Sequence, residues 1–208
     1  VTVFAVARAL ELYPDIAAPM LDAGWEIASH GYRWIDYAEV TPEVEREHIQ
    51  KALEIHTKVT GNAPQGWYIG RTSSHSRDLL LETTTPVYDA DSYADELPYW
   101  TKGPNGPHLI VPYTLDANDM RFATPQGFNN GDQFFGYLRD SFDQLYAEGE
   151  TAPKMLSIGL HCRLAGRPGR AHAVARFLDH IMAKDRVWIA TRLSIAQHWR
   201  KHHPPTDG

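Results

Sequence analysis

The stretch at residues 155–170, MLSIGLHCRLAGRPGR, joins an apolar run to a basic loop rich in glycine. The apolar half predicts a buried strand, in which Gly159 allows another backbone or a ligand to approach closely. His161 then lies at the carboxyl end of that strand, where an imidazole can exchange a proton near neutral pH. Arg163 and Arg167 follow and could bind an anion or a carbonyl oxygen. From these residues alone, a core histidine followed by solvated arginines is an equally good interpretation.

Three further apolar runs also end in polar side chains. The run WEIAS leads to His30 and Trp34, which are typical either of a pocket wall for a planar ring or of a core tryptophan. GWYIG leads to Arg71, and PVY leads to Asp89 and Asp91. If the two aspartates share a face, either the pKa of one rises or both hold Arg71, which is also the pattern of a structural salt bridge. Asp89 is preferred as the functional residue because it lies nearer the strand.

The elements that position these residues alternate between short β-rich runs and amphipathic helices. Thr41 and Pro42, for example, predict a helix start, and Gly61 predicts the end of that helix. Such alternation predicts a parallel sheet, and a barrel brings all of its carboxyl ends together. A full barrel takes roughly 250 residues. The 208-residue chain is therefore expected to be one domain over residues 1–208 that lacks its first strand or two, with a last strand at residues 187–190.

Composition narrows the classes of function. The formal net charge of −6 argues against a nucleic-acid-binding surface, which needs a clustered basic excess. The single cysteine, Cys162, excludes an intrachain disulfide and a cysteine zinc cage, and favours a reducing compartment such as the cytoplasm. We recognise no signal peptide or transmembrane run, so no membrane partner is expected. Histidines on predicted helices, His56 among them, are expected at the surface.

The order of the motifs SHGYRW, GWYIGR, YDADSYADELPYW and SIGLHCR resembles that of the polysaccharide deacetylase (NodB-like) superfamily. The resemblance spans nearly the whole chain and implies an α/β fold, a distorted seven-stranded (β/α) barrel. More closely, HGYRWIDY, DADSYADELPYW, PYTLDANDMRF and MLSIGLHCRLAGRPGRA resemble the PuuE-type allantoinases, which open the hydantoin ring of allantoin by hydrolysis. The resemblance therefore implies a hydrolase that acts on C–N bonds of cyclic amides.

The same resemblance implies a role for each candidate residue. His161 corresponds to a general acid that protonates the departing ring nitrogen. Arg71 corresponds to a residue that orients a catalytic carboxylate, and Asp89 is expected to act with it. The expected substrate-binding residues are His30, Trp34, Asp91, Arg163 and Arg167.

Two departures from the deacetylase pattern bear on cofactors. Deacetylases of this superfamily hold a divalent metal with an early Asp and an H-x-x-x-H pair, but Trp34 stands four residues after His30. Indole cannot ligate a metal, and the allantoinase branch works without one, so we expect no cofactor, with zinc as the alternative. The early motif that carries the metal Asp and the catalytic base is expected to precede Val1.

Other functions remain open from the sequence. A cyclic imide hydrolase or a polysaccharide N-deacetylase would use the same chemistry on another substrate. A non-catalytic ligand-binding barrel, or an inactive fragment, is the alternative of another class. We expect a small-molecule substrate and, from the family resemblance, a homo-oligomer.

Overall fold

A computed structural model describes residues 1–205, which form two compact units. The first unit contains Val1–Ser92, Pro98–Val111 and the described residues from 190 onward. The second unit contains Tyr93–Leu97 and Pro112–Ile189. The expectation of a single domain over residues 1–208 stays a prediction. No helix within residues 1–205 is long and apolar enough to span a membrane.

The first unit is built on a six-stranded sheet with the order β1-β2-β3-β4-β6-β5. In chain order the strands are β1 (Thr2–Ala5), β2 (Glu26–Ser29), β3 (Gly66–Trp67), β4 (Tyr88–Asp89), β5 (Tyr99–Gly103) and β6 (Gly106–Ile110). All neighbouring strands are parallel except β5 and β6, which form an antiparallel hairpin. Gly106, at φ +115°, makes the tight turn between them. The predicted α/β fold with a largely parallel sheet is confirmed, and the hairpin is the exception.

Eight α-helices are assigned within the described residues. They are α1 (Ala7–Leu12), α2 (Ala17–Asp22), α3 (Pro42–Thr60), α4 (Ser76–Thr83), α5 (Gly131–Glu148), α6 (Cys162–Ala165), α7 (Pro168–Met182) and α8 (Arg192–His202). Helix α3 begins and ends where its local signals predict. The Thr41 hydroxyl accepts a hydrogen bond from the Val44 N–H, Pro42 occupies the first turn, and Gly61 ends the helix at φ +81°.

Helices α3 and α4 bury their apolar faces against the sheet of the first unit. Ile49 from α3 and Leu80 from α4 pack with Trp67 from β3 in one buried cluster. Trp67 is fully buried. Because successive strand residues point to opposite faces, Tyr68 emerges on the other side of the sheet from Trp67.

The second unit packs α5 against α7 through large apolar side chains. The buried members of this core are Ala117, Phe134, Leu138, Phe142, Phe177 and Ile181. The predicted buried strand at residues 155–160 is wrong, because only Gly159 pairs with a neighbour, in a single parallel bridge to Asn118. The last strand predicted at residues 187–190 is also wrong, since the structure assigns no strand there and leaves Trp188 and Ile189 exposed.

Candidate active site

In the second unit, His161 forms a hydrogen-bonded pair with the fully buried Asp119. The Asp119 Oδ1 atom lies 2.6 Å from the His161 Nδ1 atom. The Asp119 Oδ2 atom accepts the backbone N–H of His161 at 2.8 Å and that of Ala165 at 2.9 Å. One carboxylate therefore fixes both the backbone and the ring of His161.

The Asn118–Gly159 bridge brings the two partners together. The Gly159 N–H donates to the Ala117 carbonyl at 2.9 Å, and the Asp119 N–H donates to the Gly159 carbonyl at 3.0 Å. A Cβ atom at Gly159 would lie 2.7 Å from the Tyr113 hydroxyl oxygen and would also collide with the Asn118 side chain. Only glycine permits this close approach, as the sequence predicts for Gly159.

The pair has the geometry of an oriented proton donor. Asp119 accepts the Nδ1–H of His161, which holds the imidazole in one orientation and leaves Nε2 turned away from the carboxylate. The Nε2 atom is then the ring nitrogen that can exchange a proton with a ligand. The His161 side chain is 24% exposed, so the ring is accessible without being fully solvated.

The residue that holds His161 was not predicted from the sequence, whereas two arginines near it were. Asp119 was not among the predicted site residues. A signal was present, because the apolar run HLIVPYTL is followed directly by the polar residues DAND, as the other predicted strands are followed by polar side chains. Arg163 and Arg167 are exposed. The Arg163 guanidinium lies 3.6 Å from the Met120 sulfur, and Arg167 precedes α7 as its N-cap. Their predicted substrate contacts stay predictions.

In the first unit, the buried Asp89 is held by two basic side chains. Its Oδ2 atom accepts the Arg77 Nε–H at 2.9 Å and lies 3.0 Å from the His108 Nε2 atom. Burial acts to raise the pKa of Asp89, but the hydrogen bonds from His108 and Arg77 outweigh it and lower this pKa below its ordinary value. The expectation that Arg71 pairs with Asp89 is wrong in its partner, because the pairing arginine is Arg77, in the first turn of the next helix.

Asp91 occupies a different environment two residues later. Its two carboxylate oxygens accept the backbone N–H groups of Ile69, at 2.8 Å, and of Gly70, at 2.6 Å. Burial raises the pKa of Asp91 to about 7, the nearby Asp89 charge adds to the rise, and the two backbone donors oppose it. Of the two predicted outcomes for the aspartate pair, a raised pKa of one member is the one that these surroundings favour. The preference for Asp89 as the functional residue stays a prediction.

A pocket of about 150 Å³ opens beside these two carboxylates. Its lining residues are Ile69, Thr72, Ser73, Ser74, Ser76, Arg77, Leu80, Asp89 and Asp91. Ser73 and Ser76 both donate hydrogen bonds to the buried Glu45 carboxylate of α3. The wall of the pocket is thus a polar network that ties the loop after β3 to a helix.

The remaining candidates of the first unit, Arg71, Trp34 and His30, all take part in contacts with aromatic rings. The Arg71 guanidinium carbon lies 4.5 Å from the ring centroid of Trp34, a cation–π contact at the surface. Trp34 is 47% exposed, so it is not a core tryptophan. The His30 ring centroid lies 5.1 Å from that of Tyr68 and 6.5 Å from that of Phe4. The structure thus pairs Arg71 with Trp34 and groups His30 with two other aromatic rings.

The donor set does not fit the divalent metal of the deacetylase pattern. Within residues 1–205, no group of three or more His, Cys, Asp or Glu side chains comes together to hold a metal ion. Trp34 occupies the position of the second histidine in the H-x-x-x-H pair, and its indole offers no lone pair to a metal.

Comparison with known proteins gives consistent matches over this chain. The profile of the polysaccharide deacetylase family matches residues 1–85. A Schizosaccharomyces pombe protein provisionally named a polysaccharide deacetylase is 44% identical over 220 residues, which is 98% of this chain and 69% of that protein.

Two solved structures are closely similar to the chain. The crystal structure of PuuE allantoinase is 54% identical with a TM-score of 0.97, covering 99% of this chain and 69% of that one. A Pseudomonas aeruginosa PAO1 structure, provisionally titled a polysaccharide deacetylase, is also 54% identical, with a TM-score of 0.96 and the same coverage. The chain belongs to the polysaccharide deacetylase (NodB-like) family of hydrolases, which act on C–N amide bonds.

Proposed function

We propose that this protein hydrolyses the hydantoin ring of allantoin to give allantoate, without a metal ion and with His161 as the general acid. The observation that carries the proposal is the 2.6 Å contact between the His161 Nδ1 atom and the buried Asp119 carboxylate. The similarity to PuuE allantoinase over 99% of the chain supports this substrate. The substitution of Trp34 for a metal-ligating histidine supports chemistry without a metal.

The chemistry requires a proton donor at the departing nitrogen. Water adds to a hydantoin carbonyl, and the tetrahedral adduct collapses by cleavage of the C–N bond to leave a carboxylate. An amide nitrogen leaves poorly as an anion, so it must take up a proton as the bond breaks. In this proposal the proton comes from the His161 Nε2 atom, while Asp119 stabilises the imidazolium before transfer.

We further propose that the exposed cation of Arg71 contacts a carbonyl oxygen of the substrate, with Trp34 presenting a flat face to its planar ring. Guanidinium groups donate to carbonyl oxygens in a fixed geometry, and indole stacks on planar rings. The roles predicted for His30, Arg163 and Arg167 in substrate binding, and homo-oligomeric assembly, are retained as parts of the proposal.

Polysaccharide N-deacetylation is a second candidate, favoured by the name of the Schizosaccharomyces pombe relative. It also breaks an amide C–N bond and also needs a proton on the departing nitrogen. The two functions differ in substrate size, since a sugar chain is far larger than allantoin. They also differ in metal use, because the deacetylase pattern includes a divalent metal.

The deciding experiment measures turnover of allantoin and of N-acetylglucosamine oligomers by the wild type, His161→Ala and His172→Ala, each with and without a chelator. His172 is an exposed residue of α7 and serves as the matched control. We expect allantoin hydrolysis that survives chelation, is abolished in His161→Ala and is retained in His172→Ala. Turnover of the oligomers alone, lost on chelation, would replace the proposal with N-deacetylation. Absence of both activities from folded wild-type protein would favour a non-catalytic binding role.

A further inference from the structure

We propose that Asp91 is a positioning residue that holds the turn carrying Arg71, and that it thereby sets the affinity for substrate. This inference rests on the proposed function in one respect, namely that Arg71 contacts the substrate. The clamp itself is defined by hydrogen bonds within the first unit and can be tested without any substrate.

The clamp acts on the backbone immediately before Arg71. Both oxygens of Asp91 are used, one on the Ile69 N–H at 2.8 Å and the other on the Gly70 N–H at 2.6 Å. Gly70 has φ +79°, a left-handed conformation that turns the chain out of β3. Two donors on consecutive residues can face one carboxylate only while the turn keeps this shape. The carboxylate therefore selects one path for the backbone that leads into Arg71.

Asp91 is itself fixed by its neighbours. Its N–H donates to the Asp89 Oδ1 atom at 3.0 Å, and its carbonyl accepts the Arg77 Nη2–H at 2.9 Å. Arg77 also donates to Asp89, so α4 and the end of β4 form one connected support. Arg77 and Asp89 thus hold Asp91, and Asp91 in turn holds the backbone before Arg71.

The far end of the same loop is held independently. Ser73 donates to the buried Glu45 carboxylate at 2.6 Å, and Ser76 donates to the other oxygen of that carboxylate. The Arg71 carbonyl accepts the Tyr37 N–H at 3.0 Å. With the backbone fixed on both sides, the exposed Arg71 side chain is left to lie over Trp34. Asp91 is the side chain of this arrangement that holds the residue immediately before Arg71.

Protonation of Asp91 should loosen the clamp. Only the ionised carboxylate can accept both N–H groups well, because a protonated one turns one oxygen into a donor. The charged groups that act on it are Asp89 from β4 and Arg77 from α4. His108 from β6 contacts Asp89, and Glu45 from α3 contacts Ser76, which lines the same pocket as Asp91. Since burial and the Asp89 charge raise the pKa of Asp91 to about 7, its ionisation falls within the pH range of an ordinary assay.

The test compares wild type, Asp91→Asn and the control Asp78→Asn, which changes an exposed carboxylate of α4. Steady-state constants for allantoin are measured from pH 6 to 8, and amide hydrogen exchange is measured at Ile69 and Gly70. In wild type we expect KM to fall as pH rises through about 7. In Asp91→Asn we expect KM to be about tenfold higher at pH 8, the effect of one lost charge-assisted hydrogen bond, with kcat within about threefold of wild type. Its KM should no longer vary in this range, and both amides should exchange faster.

The outcomes separate the clamp from the proposed function. Unchanged exchange at both amides in Asp91→Asn overturns the clamp whatever the substrate is. Faster exchange with unchanged KM overturns the link between the clamp and substrate affinity. A wild type that does not hydrolyse allantoin overturns the proposed function, while the exchange data still decide on the clamp. If Asp91→Asn does not fold, Arg77→Lys, which keeps the charge but shortens the reach to the Asp91 carbonyl, is measured in the same way.

Discussion

Replacing Asp119 with asparagine tests the assignment of His161 with little change in shape. The amide oxygen of the variant can take the Oδ2 position and keep the N–H bonds of His161 and Ala165. The amide nitrogen then faces the ring Nδ1 atom and must donate to it. This favours the neutral imidazole and removes the negative charge that stabilises the imidazolium.

The contact geometry sets the size of the effect. The lost interaction is a charge-assisted hydrogen bond to a fully buried carboxylate, a class that contributes about 1.5–3 kcal/mol. Because 1.4 kcal/mol corresponds to about a tenfold change in rate, kcat for allantoin should fall about 10- to 100-fold. By contrast, Asp119→Ala would leave the backbone N–H and the Nδ1–H of His161, both partly buried, without an acceptor and would confuse loss of activity with loss of fold.

The assay is allantoin turnover at saturating substrate, with a thermal melt of each protein to show that it is folded. Asp116→Asn is the matched control, because this carboxylate lies three residues earlier, is exposed and accepts from the Thr114 and Tyr137 hydroxyls instead of from His161. A folded Asp119→Asn variant with the kcat of wild type would refute the argument that Asp119 supports proton donation by His161. An equal loss in the control would show that the effect is one of local charge and not of the specific contact.

Three further predictions concern stability. Burial lowers the pKa of His56 to about 4, so the fold favours the neutral form of this side chain. As the pH falls from about 6.5 to 4, His56 therefore lowers the stability by up to about 1.4 kcal/mol per pH unit. Urea unfolding across this range should show that His56→Leu loses less stability than wild type, and an equal loss would contradict this. Gly159→Ala should cost more than about 2 kcal/mol and reduce activity, because the added methyl group collides with Asn118. Gly136→Ala in α5, where a Cβ meets nothing within 4 Å, should instead stabilise by about 0.5–1 kcal/mol, and equal melting shifts for the two alanine variants would refute the steric reason. Arg77→Met should cost about 2–3 kcal/mol in chemical unfolding by leaving Asp89 with His108 as its remaining basic partner, and no measurable change would mean that solvent replaces the guanidinium.

Local signals predicted the helices well and the partners of charged groups poorly. Helix α3 was predicted with its bounds because its cap, first-turn proline and terminal glycine are all adjacent in sequence. Arg77 was missed as the partner of Asp89 because it lies on α4. The phase of that helix relative to β4 is set by packing and not by spacing along the chain. Arg71, at the strand end, is the natural prediction when only spacing is known.

His56 shows where a signal was present but not used. The expectation of a surface histidine is wrong, since His56 is fully buried and its Nε2 atom lies 3.3 Å from the Ala5 carbonyl oxygen. It follows Ile49 and Ala52 at helical spacing, on the inward face of α3. The periodicity therefore placed His56 in the core, and its polarity alone suggested otherwise.

The carboxylates that hold the candidate residues replace hydrogen bonds that longer strands would supply. Strands β3 and β4 contain two residues each, and the segment before His161 makes a single bridge at Gly159. Such short pairing leaves the N–H groups of the following turns without strand partners. In the first unit Asp91 accepts two of these groups next to Arg71, and in the second unit Asp119 accepts two around His161. Neutralising either carboxylate is therefore expected to disturb the turn that it holds while the rest of the protein stays folded.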